Sequence, residues 1–279
     1  MFQHFLITRF NLRKETWTTN KQNVAVLTEE WHENRFKLFK DYCFASVAAQ
    51  TNKNFVWLVF FDTTTSEKYR LVIQELEQQL SNFKPVFVDG MDAFLPGIHN
   101  EIAKYNVDYI ITSGLDNDDC IANEYVGEVQ SNFDSQDFLA VDYVDGYTLQ
   151  VAPKVLLGKK LHLYNPFMSL IEKNDTPKTF YAVAHRKWKK EKRVLQIRGK
   201  RIWSSVIHHE NKINEFTGYG DVTAKMFFKY FSITSTKEDW ITNEIIDTTK
   251  WRYRNLMNRV SSYFIFYSKQ LKKKLGFYG

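Results

Sequence analysis

Three carboxylates crowd into four residues, Asp116, Asp118 and Asp119, in the run Leu-Asp-Asn-Asp-Asp that begins at Leu115. Acids this close repel one another, so they are solvated, cap a helix N-terminus, or share a divalent cation. Mg²⁺ and Mn²⁺ take hard oxygen ligands, and Mg²⁺ is commonly held by one or two carboxylates together with substrate phosphates. From the spacing alone, solvation or capping by Asp118 or Asp119 of a helix over about 121–132 is the commoner use, because Asp-x-Asp is a frequent pattern. An EF-hand is excluded: counting from Asp116, the sixth loop position is Ile121 instead of Gly and the twelfth is Gly127 instead of Glu.

The acids follow a short apolar run, Tyr109 to Thr112, which reads as a buried strand. They therefore stand at that strand's C-terminal end, where open α/β sheets bind their ligands. Upstream, strand and helix signals alternate. A strand is expected at Phe5–Phe10, and a helix from Glu29 to about Ala49 with Trp31, Phe36, Phe39, Tyr42, Cys43 and Ser46 near helical spacing. Phe55–Phe61 is apolar on both faces and suits a central parallel strand ending at Asp62. A helix over 66–80, a strand over 85–89 and a helix over 100–105 follow. The β-α-β-α-β-α-β order predicts a layered α/β sheet whose first four strands are largely parallel. There is no Gly-x-Gly-x-x-Gly after the first strand and no Gly-Lys-Ser/Thr loop, which argues against a standard dinucleotide fold or a P-loop enzyme. Farther on, segments 138–144 and 147–151 flank Asp145-Gly146, a strong hairpin signal that makes Asp145 a turn residue and the sheet mixed. A further strand-like piece is expected at 180–184.

With 279 residues, 44% of them hydrophobic and 16% aromatic, the chain can bury a substantial core, which excludes a disordered class. Cys43 and Cys120 form neither a disulfide framework nor a metal-ligand spacing and suit a reducing compartment. The N-terminus does not read as a signal peptide, and the longest strongly apolar run, Phe55–Phe61, is far short of the roughly 20 residues of a spanning helix. A soluble or peripheral cytoplasmic protein is expected. The net charge of +6 collects at 186–193, 198–201 and 272–274. Such clusters suit an anionic partner (a nucleotide, nucleic acid or acidic lipid) or simply a solvated surface. The stretch 216–279 is basic and aromatic, helical from about Asn243, and either packs on the rest of the chain or lies on an anionic membrane.

In order, Thr8-Arg9-Phe10-Asn11, Arg35 with Leu38-Phe39, Tyr42-Cys43 with Ser46, Gln50-Thr51, Phe55-Val-Trp-Leu-Val59, Asp62 and Leu115–Asp119 make the chain resemble the putative rhamnosyltransferase family of bacterial glycosyltransferases over about 1–215. The resemblance implies a glycosyltransferase-A-like catalytic domain over 1–215, an α/β nucleotide-binding mixed sheet flanked by helices, with a helical tail over 216–279. It implies inverting transfer of a sugar, rhamnose by the family name, from a nucleotide-diphosphate sugar to a saccharide or lipid-linked acceptor. The setting would be bacterial surface polysaccharide synthesis at the inner face of the cell membrane. Mn²⁺ or Mg²⁺ would bridge the diphosphate and assist its departure. On this reading Asp118 is the metal ligand, Asp119 a second or supporting one, and His208 a third, with His209 its rival. Thr8, Arg9, Arg35, Asp62, Asp116 and Asn117 would meet the nucleotide. Asp62 could equally cap the helix after it, and Arg35 could be a surface residue. The catalytic base is expected among the later acids, Glu172 first, Asp142 next, Asp175 also open. Trp203 stacks on a sugar or fills the core. Two rivals remain: a metal-dependent hydrolase or nuclease, which needs more carboxylates on two metals, and a basic nucleic-acid-binding module using 185–201. The single compact cluster favours the transferase, with nucleic acid not expected as a partner.

Overall fold

Apolar β runs alternate with helices through the first half of the chain, and each crossover returns the next strand parallel to the last. The computed structural model describes residues 1–16, 18–19, 25–211 and 215–277. β1 (Phe2–Arg9) leads to α1 (Glu29–Leu38), whose first turn is capped by Thr28 Oγ1 accepting the Trp31 N–H at 3.2 Å. A π-helical stretch (Phe39–Phe44) and α2 (Ala45–Ala48) continue α1 without a break, filling the expected helix. β2 (Val56–Asp62), α3 (Glu67–Gln79), β3 (Phe83–Val88), α4 (Phe94–Ile102) and β4 (Tyr109–Gly114) follow. α4 begins earlier than the expected 100–105 because Pro96 falls in its first turn, where a missing N–H is tolerated. Then come β5 (Cys120–Ile121), α5 (Tyr125–Gln130), β6 (Phe138–Tyr143), β7 (Asp145–Gln150), β8 (Leu156–Leu161), β9 (Ser169–Lys173), β10 (Val194–Ile197) and β11 (Trp203–Ile207). α6 (Ala224–Phe228), α7 (Ser235–Glu244) and α8 (Arg252–Lys274) end the chain.

The large sheet has the order β10-β6-β9-β4-β1-β2-β3, and the small one β5-β11-β7-β8. β1 to β4 are mutually parallel, as the alternation predicts, and β9 runs antiparallel between β4 and β6, so the sheet is mixed. β2 is covered on both faces. Trp57, Val59 and Phe61 pack with Phe36 and Phe39, while Leu58 and Phe60 pack with Phe94 and Ile98 of α4. Burying each such side chain stabilises the fold by about 1.5–3 kcal/mol, enough in sum to hold a loop of acids at the sheet's edge.

Three expectations are corrected. Asp145-Gly146 is not a hairpin turn: the chain runs through it from β6 in the large sheet to β7 in the small one. Gly146 is there because a Cβ would stand 2.4 Å from the Trp203 ring, which lies on bare backbone. Asp145 is buried and accepts from Arg198 Nε at 2.6 Å and the Gly199 N–H at 2.9 Å. Secondly, Cys120–Ile121 opens no helix; it pairs antiparallel with Trp203 and Ser204, and α5 starts only after Glu124, so neither Asp118 nor Asp119 caps it. Thirdly, the strand expected at 180–184 is a 3-10 turn, Phe180–Ala182.

The stretch after residue 215 divides in two. Phe227, Phe231 and Ile241, from the segment spanning α6 and α7, join the hydrophobic cluster that holds Trp57. In α8 only Phe266 is buried.

Candidate active site

β1 and β4 end side by side, with Ile7 opposite Gly114, and the Leu115 N–H donates to Ile7 O at 3.0 Å. The acidic loop leaves this edge and re-enters the small sheet at β5, so it hangs between the two sheets. A cleft of about 790 Å³ opens over it, with Arg9, Trp31, Arg35, Asp116, Asp118, Lys160, His162, Tyr181, His185 and Glu210 among its walls.

Each polar residue of the loop does a different job. Asn117 is a pin: its Nδ2 donates to Arg9 O at 3.0 Å and Phe10 O at 2.9 Å, and its Oδ1 accepts from Arg35 Nη1 at 3.0 Å. Asp119 is buried and accepts the Val206 N–H at 2.8 Å, which bolts the loop to β11. Burial, then Asp118 and Asp116, raises its pKa well above the carboxylate range. Asp118 Oδ2 accepts from Arg35 Nη1 at 2.7 Å and meets His208 Nε2 at 2.8 Å. Burial acts to raise the Asp118 pKa, but Arg35 and His208 outweigh it and hold the carboxyl below its usual range. Asp116 faces the cleft, with Arg9 Nη2 at 3.8 Å. Arg9 itself is poised over the Phe94 and Tyr181 rings, 5.9 and 5.7 Å from their centroids.

Of the other expected residues, Arg35 is no surface residue. It is buried on α1, over the Trp31 ring at 5.1 Å, and reaches the acids across 83 residues of chain. His208 is buried at the end of β11 and contacts Asp118, while His209 is exposed and turned toward a separate hollow. Thr8 is in the core, its Oγ1 accepting from Trp57 Nε1 at 2.9 Å. The Asp62 carboxylate is engaged by Arg13 and by the Thr64 N–H and hydroxyl, the latter at 2.7 Å, so it ties two loops together and is not itself among the cleft walls. Trp203 donates from Nε1 to Tyr143 O at 2.6 Å and stacks on Phe167, forming the back wall.

The structure does not bring the expected bases to the cleft. Glu172 pairs with Ile110, near the start of β4 and about 13 Å along the strand from Gly114. Its two oxygens accept the Lys178 and Thr179 N–H groups at 2.9 and 2.8 Å, closing the loop after β9. Asp175 is exposed at that same far end. Asp142 is fully buried behind the wall, accepting from the Tyr164 N–H at 2.8 Å and Asn165 Nδ2 at 2.7 Å, and burial pushes its pKa up to about 7.

Sequence reasoning missed the opposite wall. Lys160 donates from Nζ to Ser205 Oγ at 2.9 Å; burial lowers its pKa, with Asp119 opposing. His185 Nδ1 lies 2.6 Å from Tyr164 O. A carbonyl only accepts, so Nδ1 carries the proton and Nε2 keeps a free lone pair. Burial lowers the His185 pKa, with the Tyr164 hydrogen bond opposing. Nothing local marks these residues: β8 and a 3-10 turn bring them in from 41 or more residues beyond the acids.

The implied divalent ion can be tested against these donors. Among the described residues no three His, Cys, Asp or Glu side chains converge as a cage. A carboxylate and an imidazole do converge: Asp118 Oδ2 and His208 Nε2 are 2.8 Å apart. Neighbouring ligands of an octahedral ion bonded at about 2.1 Å stand about 3 Å apart, so Asp118 and His208 fit as two ligands, leaving the rest to substrate phosphates and water. Arg35 competes for the same oxygen. Asp119 also lines the cleft, and with its Oδ1 engaged by the Val206 N–H it supports the loop that carries Asp118.

A family model described as putative rhamnosyl transferase matches residues 3–218. No curated protein matches the chain. Among solved structures, the S. aureus TarS 1–349 structure is 14% identical over 73% of this chain and 60% of that one, with a TM-score of 0.42. Its complex with UDP-GlcNAc is 13% identical over 86% of this chain and 70% of that one, also at 0.42. HddC from Yersinia pseudotuberculosis is 11% identical over 62% of this chain and 77% of that one, at 0.36. The chain thus spans less than two thirds of the first TarS structure. TM-scores at this level mark loose likenesses, and nothing about donor or acceptor follows from them.

Proposed function

The chain belongs to the putative rhamnosyl transferase family, and we propose that this glycosyltransferase binds a nucleotide-diphosphate sugar in the cleft and passes the sugar, with inversion, to a saccharide or lipid-linked acceptor. One observation carries the reading: buried Arg35 and the cleft-facing Arg9, Lys160 and Arg186 surround a loop of acids at the C-terminal ends of the parallel strands β1 and β4. A doubly charged diphosphate is the ligand such a mixed-sign wall suits. Asp116 faces the cleft for the hydroxyls of a ribose. Arg35 and Asn117 fix the loop before any ligand arrives, so little ordering is left to the binding step. Bound by Asp118 and His208, Mn²⁺ or Mg²⁺ would supply Lewis-acid withdrawal of charge from the departing diphosphate. Arg9 and Lys160 add fixed positive charge at the same wall.

In a single displacement the acceptor hydroxyl loses its proton as it attacks the anomeric carbon, which inverts that centre. His185 is the cleft group shaped to receive the proton. Tyr164 O holds its tautomer, and its lowered pKa keeps it neutral at physiological pH.

The test is a thermal-shift screen of sugar nucleotides, deoxythymidine-diphosphate-rhamnose among them, with and without Mn²⁺. A true donor at one hundred times its dissociation constant stabilises the native state by about 2.7 kcal/mol, and it should do so more strongly with Mn²⁺. No shift with any nucleotide in either condition overturns the reading.

A further inference from the structure

α8 is amphipathic the wrong way round. Its inward face is largely polar: Asn255 Oδ1 accepts the Gly220 N–H at 2.6 Å, Asn258 Nδ2 donates to Gly218 O at 2.9 Å, and Gln270 Nε2 donates to Gln196 at 2.6 Å. Phe266 is its one buried apolar side chain. Solvent receives the apolar face instead. Tyr253, Met257, Val260, Phe264, Tyr267 and Leu271 recur at spacings of four and three, and all are exposed, Phe264 to 73% and Tyr253 to 76%. At 3.6 residues per turn they form one stripe about 80° wide that runs the length of the helix. Water is a poor solvent for such a stripe, so something covers it.

Charge decides between the candidate occupants. α8 carries Arg252, Arg254, Arg259, Lys269 and Lys272 to Lys274, and no acid. By helical geometry Arg252 and Arg259 flank the stripe on one side and Lys272 on the other, with Lys274 at its end, while Arg254 turns inward and donates to Phe216 O at 3.0 Å. A second α8 laid on this stripe would bring two all-cationic rims together with no acid to pair. An anionic phospholipid surface meets both features: acyl chains take the stripe and headgroups take the rims. The basic surface also continues beyond the helix. Lys273 Nζ donates to Glu191 O at 3.1 Å, which ties the end of α8 to the exposed Lys187, Lys190 and Lys192. That segment starts at His185, in the cleft wall.

We infer that α8 lies in the plane of an anionic membrane, its stripe sunk among the acyl chains, and holds the cleft at the lipid surface. The inference stands on α8 alone and does not depend on the donor chemistry.

The test is co-sedimentation of the full chain with phosphatidylglycerol-containing vesicles and with pure phosphatidylcholine vesicles. The wild type should sediment with the anionic vesicles, weakly or not at all with neutral ones, and less as salt rises. Phe264→Glu with Leu271→Glu should lower the anionic-vesicle affinity at least tenfold while melting temperature and sugar-nucleotide shifts stay as in the wild type. Should that variant misfold, Val260→Ser with Tyr267→Ser provides the same reading at lower charge. Binding unaffected by either pair, or no binding to anionic vesicles at low salt, overturns the inference. So does a lipid-free dimer in sedimentation velocity that these substitutions dissolve, because the stripe would then be covered by a second copy.

Discussion

The two ends of β4 both hold carboxylates, and they are answered differently. At the far end, Glu172 spends its oxygens on the backbone N–H groups of Lys178 and Thr179, only 6 and 7 residues along the chain. At the cleft end, Asp118 is answered by side chains from distant elements, Arg35 of α1 and His208 after β11. A carboxylate bound by its own turn is saturated where it stands and can do little but hold that turn. One bound by long side chains can exchange a partner for a ligand, because a guanidinium or imidazole moves without unfolding the backbone. The same residue type is therefore structural at one end and available for chemistry at the other.

The largest effect expected from this contrast falls on Asp118. Asp118→Ala would take away the nearer hydrogen-bond acceptor of buried Arg35, so Asp118→Asn is the cleaner change: it keeps an acceptor there and removes the charge, while Glu210, 3.9 Å from Arg35 Nη2, still answers the guanidinium. Transfer should fall by about 10³-fold or more, since charge stabilisation at a leaving diphosphate is worth several kcal/mol and each ~1.4 kcal/mol is tenfold in rate. Single-turnover transfer and Mn²⁺-dependent donor binding should be lost together, with the melting temperature nearly kept. Normal donor binding in a folded Asp118→Asn protein would show that this carboxylate is as structural as Glu172.

His185 gives the next effect. A base must be unprotonated to act, and burial lowers its pKa below the usual imidazole value. kcat/KM should thus hold across neutral pH and drop only as pH falls through a value below 6.5, the ordinary histidine pKa. His185→Gln should cut kcat by about 10²–10⁴-fold, erase that acid limb and leave donor affinity alone. An acid limb that survives the substitution would assign the base to another group.

Much of this was legible in the sequence. The parallel strands announce themselves because β2 is apolar on both faces, and three acids in four residues mark the loop. Partners were harder to read, because contact across 83 or 90 residues depends on which elements the topology brings together. Asp145-Gly146 misled for a physical reason: glycine there answers to the Trp203 ring, a tertiary demand that local turn chemistry cannot reveal. Glu172 misled likewise, since an acid after an apolar run looks the same whichever end of the sheet it reaches.

The smallest effect belongs to Glu172 and inverts what its sequence position suggests. Its carboxylate accepts two backbone N–H bonds, and the Thr179 donor is buried with it. Glu172→Ala removes a charged acceptor and leaves these donors without their partner. Hydrogen bonds to charged groups contribute about 1.5–3 kcal/mol, so urea unfolding should show a loss of about that size with the m-value unchanged. Burial raises the Glu172 pKa, with the two N–H bonds opposing. A carboxyl raised in the folded state takes up its proton there before the unfolded chain does. Its share of stability is therefore complete below the unfolded value and falls as pH rises through the folded one. The penalty of Glu172→Ala should accordingly be larger at pH 4 than at pH 8, the reverse of what a salt-bridged carboxylate would give. Donor binding and kcat should fall far less than in His185→Gln, because Glu172 meets the cleft only through the turn it holds, which leads into Phe180 and Tyr181 of the wall. If stability is untouched while transfer disappears, the two ends of the strand are not divided as described, and Glu172 is the base after all.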